Sequence, residues 1–167
     1  ITIIKSANPA DDTLFDFALI DQRPGGNPPV PFSLSDPGSK TQIFSNLPIG
    51  DYVVSELPLP TGWFVDDISC TTDDINDTSS VSLTNGEVVI DLDENENIIC
   101  TFSNHKQAAL TITKQAVGGA ASVPGFDFSG SGPIGNFSLS LGDSQSFDLF
   151  PGNYTITETL PAGWLLD

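Results

Sequence analysis

Methionine is missing from this 167-residue chain, histidine occurs once, at His105, and five Lys and Arg stand against 22 Asp and Glu. Each shortage excludes something. A single histidine argues against a histidine-rich metal site and against a Ser-His-Asp triad, which needs an imidazole placed beside a nucleophile. A formal charge of −17 repels phosphate, so neither nucleic acid nor an anionic membrane surface is an expected partner. That charge favours solubility and mutual repulsion between copies. No apolar stretch has the length of a membrane span, and no signal peptide is present, although an internal fragment would carry neither. The absence of an initiator methionine leads us to expect an internal fragment of a longer, processed protein. No cofactor and no metal are expected.

Helical periodicity is also lacking. With 15 glycines and 13 prolines, no long window is free of breakers or β-branched residues. Short alternating runs stand between turn signals instead: ITIIK, LFDFALI, VPFSL, TQIFSNL, DYVVSE, WFVDDISC, SVSL, EVVIDL and NIICTFSN. Nine such runs predict an all-β antiparallel sandwich of Ig-like type. Asn85-Gly86, between VSL and EVVIDL, predicts a hairpin with a two-residue turn. PGGNPP at 24–29 predicts a loop, because proline cannot sit in a central strand.

What is present in abundance is repetition. YVVSELPLPTGW at 52–63 matches YTITETLPAGW at 154–164; ITIIK at 1–5 matches LTITK at 110–114; FDF at 15–17 matches FDF at 126–128; and FSL at 32–34 matches FSL at 137–139. Lys114 follows Lys5 by 109 positions, a period of whole domains in tandem. We expect a complete domain over 1–107 and the N-terminal part of a second over 108–167, whose final strands, the counterparts of 67–107, are missing.

Side chains alternate between the two faces of a strand. Tyr52, Val54 and Glu56 therefore share a face, as do Tyr154, Ile156 and Glu158. The same parity groups Ile1, Ile3 and Lys5, and Leu110, Ile112 and Lys114. It also groups Ile98, Cys100, Phe102 and Asn104. A lysine, a glutamate and an asparagine thus each end an apolar row. Two charges and an amide on core faces are costly unless they satisfy one another. One reading is a buried Lys–Glu ion pair with the asparagine hydrogen-bonded nearby. A sharper reading is covalent. Desolvation lowers a lysine pKa and raises a glutamate pKa, so a proton can pass between them. The neutral amine of Lys5 can then attack the Asn104 carboxamide while protonated Glu56 assists the departure of ammonia.

The pattern resembles the collagen-adhesin B-type and SpaA-type prealbumin-like domains of bacterial surface proteins and pilins. The likeness rests on a first strand ending in lysine (ITIIK), a Tyr-x-x-x-Glu box followed by Pro-x-Gly-aromatic (Tyr52, Glu56, Pro60, Gly62, Trp63), and a last strand ending in asparagine (CTFSN). It covers copy one and about the first half of copy two. The resemblance implies an isopeptide cross-link between Lys5 and Asn104, with Glu56 as its catalyst. In copy two, Lys114 and Glu158 match, but the asparagine has no counterpart in the chain. Its strand would come from the same polypeptide or be donated by a neighbouring subunit.

Cys70 and Cys100 are the two cysteines, each near the end of a strand-like run. A disulfide in an oxidising compartment is the expectation, against the alternative of two free buried thiols. The acidic stretches at Asp66-Asp67, Asp73-Asp74 and Asp91–Glu96 invite a calcium reading, but none has the spacing of an EF-hand loop, and we expect solvated loops. The functional expectation is an extracellular, cell-surface structural repeat of a stalk, fibre or pilus-like filament. Its partners would be neighbouring repeats or subunits, and its catalysis would be limited to a single self-directed turnover. The rival is an adhesin module that binds a host protein or glycan through its loops.

Overall fold

A computed structural model describes residues 1–56, 58–117 and 125–165. They form two compact units, Ile1–Lys106 and Gln107–Asp167. Among the described residues, unit 1 has nine strands: β1 (Thr2–Asn8), β2 (Asp11–Asp21), β3 (Val30–Asp36), β4 (Thr41–Ile43), β5 (Gly50–Glu56), β6 (Trp63–Thr72), β7 (Ser80–Ser82), β8 (Glu87–Leu92) and β9 (Ile98–Lys106). Each corresponds to one of the nine alternating runs. The pattern that produces them is period two: β5 reads buried at Tyr52, Val54 and Glu56, and β9 at Ile98, Cys100, Phe102 and Asn104.

Two sheets result, ordered β4-β1-β9-β6 and β3-β2-β5-β8-β7. Their inner faces share one core that includes Ile3, Phe15, Phe17, Tyr52, Val54 and Phe102. Phe17 of one sheet meets Phe102 of the other edge to face at 5.2 Å, the favoured geometry for opposed ring quadrupoles. The first and last strands are neighbours. β1 and β9 run parallel, with Lys5 opposite Phe102 and Ala7 opposite Asn104, while β9 pairs antiparallel with β6 on its other edge.

The β7–β8 connection departs from the two-residue turn that Asn85-Gly86 predicts. Ser82 pairs with Glu87, so the loop has four residues, 83–86, closed by the Gly86 N–H donating to the Leu83 carbonyl at 3.2 Å. The physical reason lies on the neighbouring strand. The Gly86 carbonyl accepts the Glu56 N–H at 2.8 Å, which draws the loop over the end of β5. Gly86 has φ +61°, and a Cβ there would lie 3.0 Å from the Glu56 carbonyl oxygen, so glycine is required on both counts. PGGNPP is a loop, as expected. His105 and Lys106 belong to β9, which leaves Gln107 alone between β9 and the next strand.

Unit 2 contains β10 (Ala108–Thr113), β11 (Phe126–Gly130), β12 (Asn136–Leu139), β13 (Ser144–Leu149) and β14 (Ile156–Thr159). They form a β10-β13 pair and a β12-β11-β14 sheet. The registers repeat those of unit 1. Phe126 faces Leu139 and Phe128 faces Phe137, as Phe15 faces Leu34 and Phe17 faces Phe32. Phe128 also lies opposite Glu158, as Phe17 lies opposite Glu56.

Candidate functional site

Parity places three polar side chains inside unit 1. Glu56 ends the buried row of β5 and Asn104 that of β9, as expected, but Lys5 lies within the row of β1, between Ile3 and Ala7, because pairing with β9 keeps β1 extended to Asn8. All three are at most 1% exposed. The Lys5 Nζ donates to the Asn104 Oδ1 at 2.8 Å, to the Ser6 carbonyl at 2.9 Å and to the Phe102 carbonyl at 3.1 Å. An ammonium has three N–H donors, and these three acceptors occupy them all. The Glu56 Oε1 is 3.5 Å from Nζ. Neither Glu56 oxygen nor the Asn104 Nδ2 has a hydrogen-bond partner.

This distribution sets the electrostatics. Burial lowers Lys5 to about 8, with the Glu56 charge opposing the shift and the more distant Asp36 charge adding to that opposition. Burial raises Glu56, opposed first by the Lys5 charge. Asn104 lies near enough to oppose that rise as well, yet no donor reaches either Glu56 oxygen with hydrogen-bond geometry. A buried carboxylate without donors is destabilised in its charged form. The site therefore brings the neutral acid and the neutral amine within reach of each other.

Three contributors escaped the sequence reading. The Lys5 ammonium lies over the face of Phe15, 4.2 Å from the ring centroid, and Phe15 is braced edge to face by Trp63 at 5.1 Å. Asp36 is buried beside β1, accepting the Ala7 N–H at 3.1 Å and the Lys40 Nζ at 2.9 Å. Gly86 fixes the backbone of Glu56. A signal did exist for Phe15: FDF recurs ahead of each glutamate box, and in unit 2 the Lys114 ammonium lies 4.1 Å from the Phe126 ring, itself braced by Trp164 at 5.3 Å.

In unit 2 the Lys114 Nζ lies 2.5 Å from the Glu158 Oε1, with the two side chains 10% and 14% exposed. The two cysteines are joined by a Cys70–Cys100 disulfide between directly opposed positions of β6 and β9. The acidic loops spend carboxylates on their own turns: Asp73 accepts the Asn97 backbone N–H at 2.8 Å and its side-chain amide at 3.0 Å, and Asp77 accepts the Ser79 N–H at 2.9 Å.

A two-sheet sandwich whose first and last strands lie side by side, with a lysine, an acid and an asparagine sealed between its sheets, defines a class of protein: the prealbumin-like β-sandwich. Residues 1–106 match the family described as the prealbumin-like fold domain, and the chain belongs to that family. None of the curated proteins matches it. Among solved structures it is similar to the major pilin protein (T-13) from Streptococcus pyogenes, at 17% identity and a TM-score of 0.33, over 99% of this chain and 83% of that one. It is also similar to the major pilin protein (T3.2) from the same species, at 13% identity and a TM-score of 0.33, over 97% and 82% of the two chains.

Proposed function

We propose that this chain is an extracellular structural repeat of a surface stalk, fibre or pilus-like filament, and that unit 1 locks itself with an amide between Lys5 and Asn104. The observation that carries the reading is the asymmetry of the trio: the Lys5 ammonium is fully hydrogen-bonded and touches the Asn104 carboxamide, whereas Glu56 is buried with no donor. Glu56 takes one proton from the ammonium. The Nζ lone pair then attacks Cγ of Asn104, the Nζ–Cγ bond forms, and the Cγ–Nδ2 bond breaks. The second Nζ proton passes to Nδ2, which leaves as ammonia, and Glu56 keeps the first. One turnover consumes the site, so the chain is not an enzyme in the ordinary sense.

The fold gives the bond its purpose. Parallel neighbours at the two ends of a domain are loaded in shear when those ends are pulled apart, and a Lys5–Asn104 amide would carry that load past the intervening chain. The disulfide, which joins β6 to β9, holds a second loop closed. Partners would be neighbouring repeats or subunits, including a source of the strand that meets unit 2. Single-molecule pulling from the ends of unit 1 tests this. Without the amide, and with the disulfide intact, unfolding should release roughly 230 Å of chain between residues 5 and 104; with it, that step should be missing. Release of the full length from the wild-type protein would overturn the proposal.

A further inference from the structure

β1 loses its outer neighbour just where the lysine lies. β4 covers Thr2, Ile3 and Ile4, with Thr41 opposite Ile4, and ends there. Alternate N–H groups of a strand point to the same edge, so those of Lys5 and Ala7 emerge together on the side that β4 has left. One loop supplies an acceptor for each. The Lys40 carbonyl accepts the Lys5 N–H at 2.9 Å, and the Asp36 Oδ2 accepts the Ala7 N–H at 3.1 Å. The loop is tight: the Ser35 N–H donates to the Ser39 carbonyl at 3.1 Å, and the Ser39 N–H to the Ser35 Oγ at 3.1 Å. Asp36 is buried, and the Lys40 Nζ, 2.9 Å from its other oxygen, offsets its charge. The Lys40 hydrogen bond first, and the Ala7 N–H second, hold its carboxyl below the usual carboxylate range. An ionised acceptor makes a stronger hydrogen bond than a neutral one.

The place of this bond in the fold gives it a further meaning. Asp36 ends β3, in the sheet that carries Glu56 on β5, whereas Ala7 lies on β1, in the sheet that carries Lys5 and Asn104. The Asp36–Ala7 bond therefore ties the two sheets together two residues from Lys5, at the residue that faces Asn104. We propose that Asp36 is a positioning residue for the Lys5–Asn104 cross-link: by clasping the Ala7 N–H from the opposite sheet, it sets where Lys5 lies against Glu56 and Asn104. The inference rests on the cross-linking proposed for unit 1. Asp36 does not act through its charge, which helps to keep Lys5 protonated and so opposes the reaction. What it contributes is the site of its oxygen. Unit 2 supplies the contrast. FSLS at 137–140 matches FSLS at 32–35, which puts Leu141 in the place of Asp36. The backbone clasp on the lysine recurs there, the Asp143 carbonyl accepting the Lys114 N–H at 3.0 Å, but a leucine side chain has no acceptor.

Two substitutions separate position from charge. Asp36→Asn keeps an acceptor oxygen at the same reach and drops the charge; Asp36→Glu keeps the charge and moves the oxygen out by one methylene. Asp36→Leu installs the residue of unit 2. The test refolds each chain from inclusion bodies and times the loss of ammonia by intact mass, counted from the point at which tryptophan fluorescence shows folding to be complete. Relative to wild type, Asp36→Asn should react within about threefold, Asp36→Glu about tenfold more slowly and Asp36→Leu about 100-fold more slowly, the scale of a small misplacement of reacting groups. Asp36→Glu reacting as fast as Asp36→Asn, or faster, would overturn the proposal, and so would equal rates in all the chains. If Asp36→Leu does not fold, the order of the other two decides. Wild-type chain that loses no ammonia overturns the cross-link itself and this inference with it, whereas wild-type loss with the wrong order among the variants overturns this inference alone.

Discussion

Lys5 and Lys114 occupy equivalent positions of the repeat, lie over equivalent phenylalanines and face equivalent glutamates, but their surroundings differ. Lys5 and Glu56 are 0% and 1% exposed and 3.5 Å apart; Lys114 and Glu158 are 10% and 14% exposed and 2.5 Å apart. The closer ion pair is the more solvated one. The difference is β9. In unit 1 that strand brings the Phe102 carbonyl and the Asn104 Oδ1 to the ammonium, and these replace the carboxylate as its hydrogen-bonding partners. It also removes water from both charges. The lesson is that the same lysine and glutamate form a close, partly solvated ion pair in one setting and a fully buried, more widely spaced pair where a third strand joins them.

The strongest way to break this comparison is to remove the third partner. Asn104→Ala should abolish the ammonia deficit and lower the stability of unit 1 by about 4–5 kcal/mol, the chain-entropy value for losing a link that closes a loop of about 100 residues. Intact mass and denaturant melts read both effects. Next comes the acid. Glu56→Ala should also stop the bond and leave Lys5 as a sealed, unpaired charge, at a cost of about 3–5 kcal/mol. Glu158→Ala should cost clearly less, because water already reaches Lys114. Equal losses in parallel melts would contradict the role given to β9. Removing the disulfide with Cys70→Ser and Cys100→Ser, in a chain that already carries Asn104→Ala, should cost about 3–4 kcal/mol by the same loop argument.

The pH dependence of bond formation has a definite sign. The reactive form, COOH with NH2, holds the same single proton as COO⁻ with NH3⁺. Its share is therefore constant while the pair keeps one proton. Below the raised Glu56 value a second proton blocks the amine. Above about 8, the Lys5 value, the last proton is lost and no acid remains. Chain refolded from inclusion bodies should form the bond about tenfold more slowly for each pH unit beyond that point. A rate that keeps rising with pH would exclude Glu56 as the acid. The smallest expected effect concerns the tyrosines. The Tyr52 hydroxyl donates to the Pro48 carbonyl at 2.7 Å in a half-buried setting, and the Tyr154 hydroxyl to the Phe150 carbonyl at 2.8 Å in an exposed one. Tyr52→Phe should cost about 1 kcal/mol and Tyr154→Phe less.

Parity made much of this legible before any coordinates. Period-two alternation puts Lys5, Glu56 and Asn104 on inward rows, and that prediction depends only on strand geometry; that β1 runs on past Lys5 to buried Ala7 depends on its pairing with β9. The role of Phe15 did not follow from sequence, because its contact with the Lys5 ammonium joins opposite sheets, and no local pattern states how sheets face. Asn85-Gly86 signals a chain reversal, but the loop length is set by the Glu56 N–H, which needs the Gly86 carbonyl as its acceptor. Asp36 reads as an ordinary turn acid before Pro37, and its burial comes from the Ala7 N–H across the edge of β1.

The most direct test of the central claim is a peptide map of the wild-type chain under non-reducing conditions. The account predicts that the peptide bearing Lys5 is joined to the peptide bearing Asn104 with the loss of one ammonia, while the peptide bearing Lys114 is linear. Recovery of both lysine peptides as linear species at their full sequence masses would contradict it.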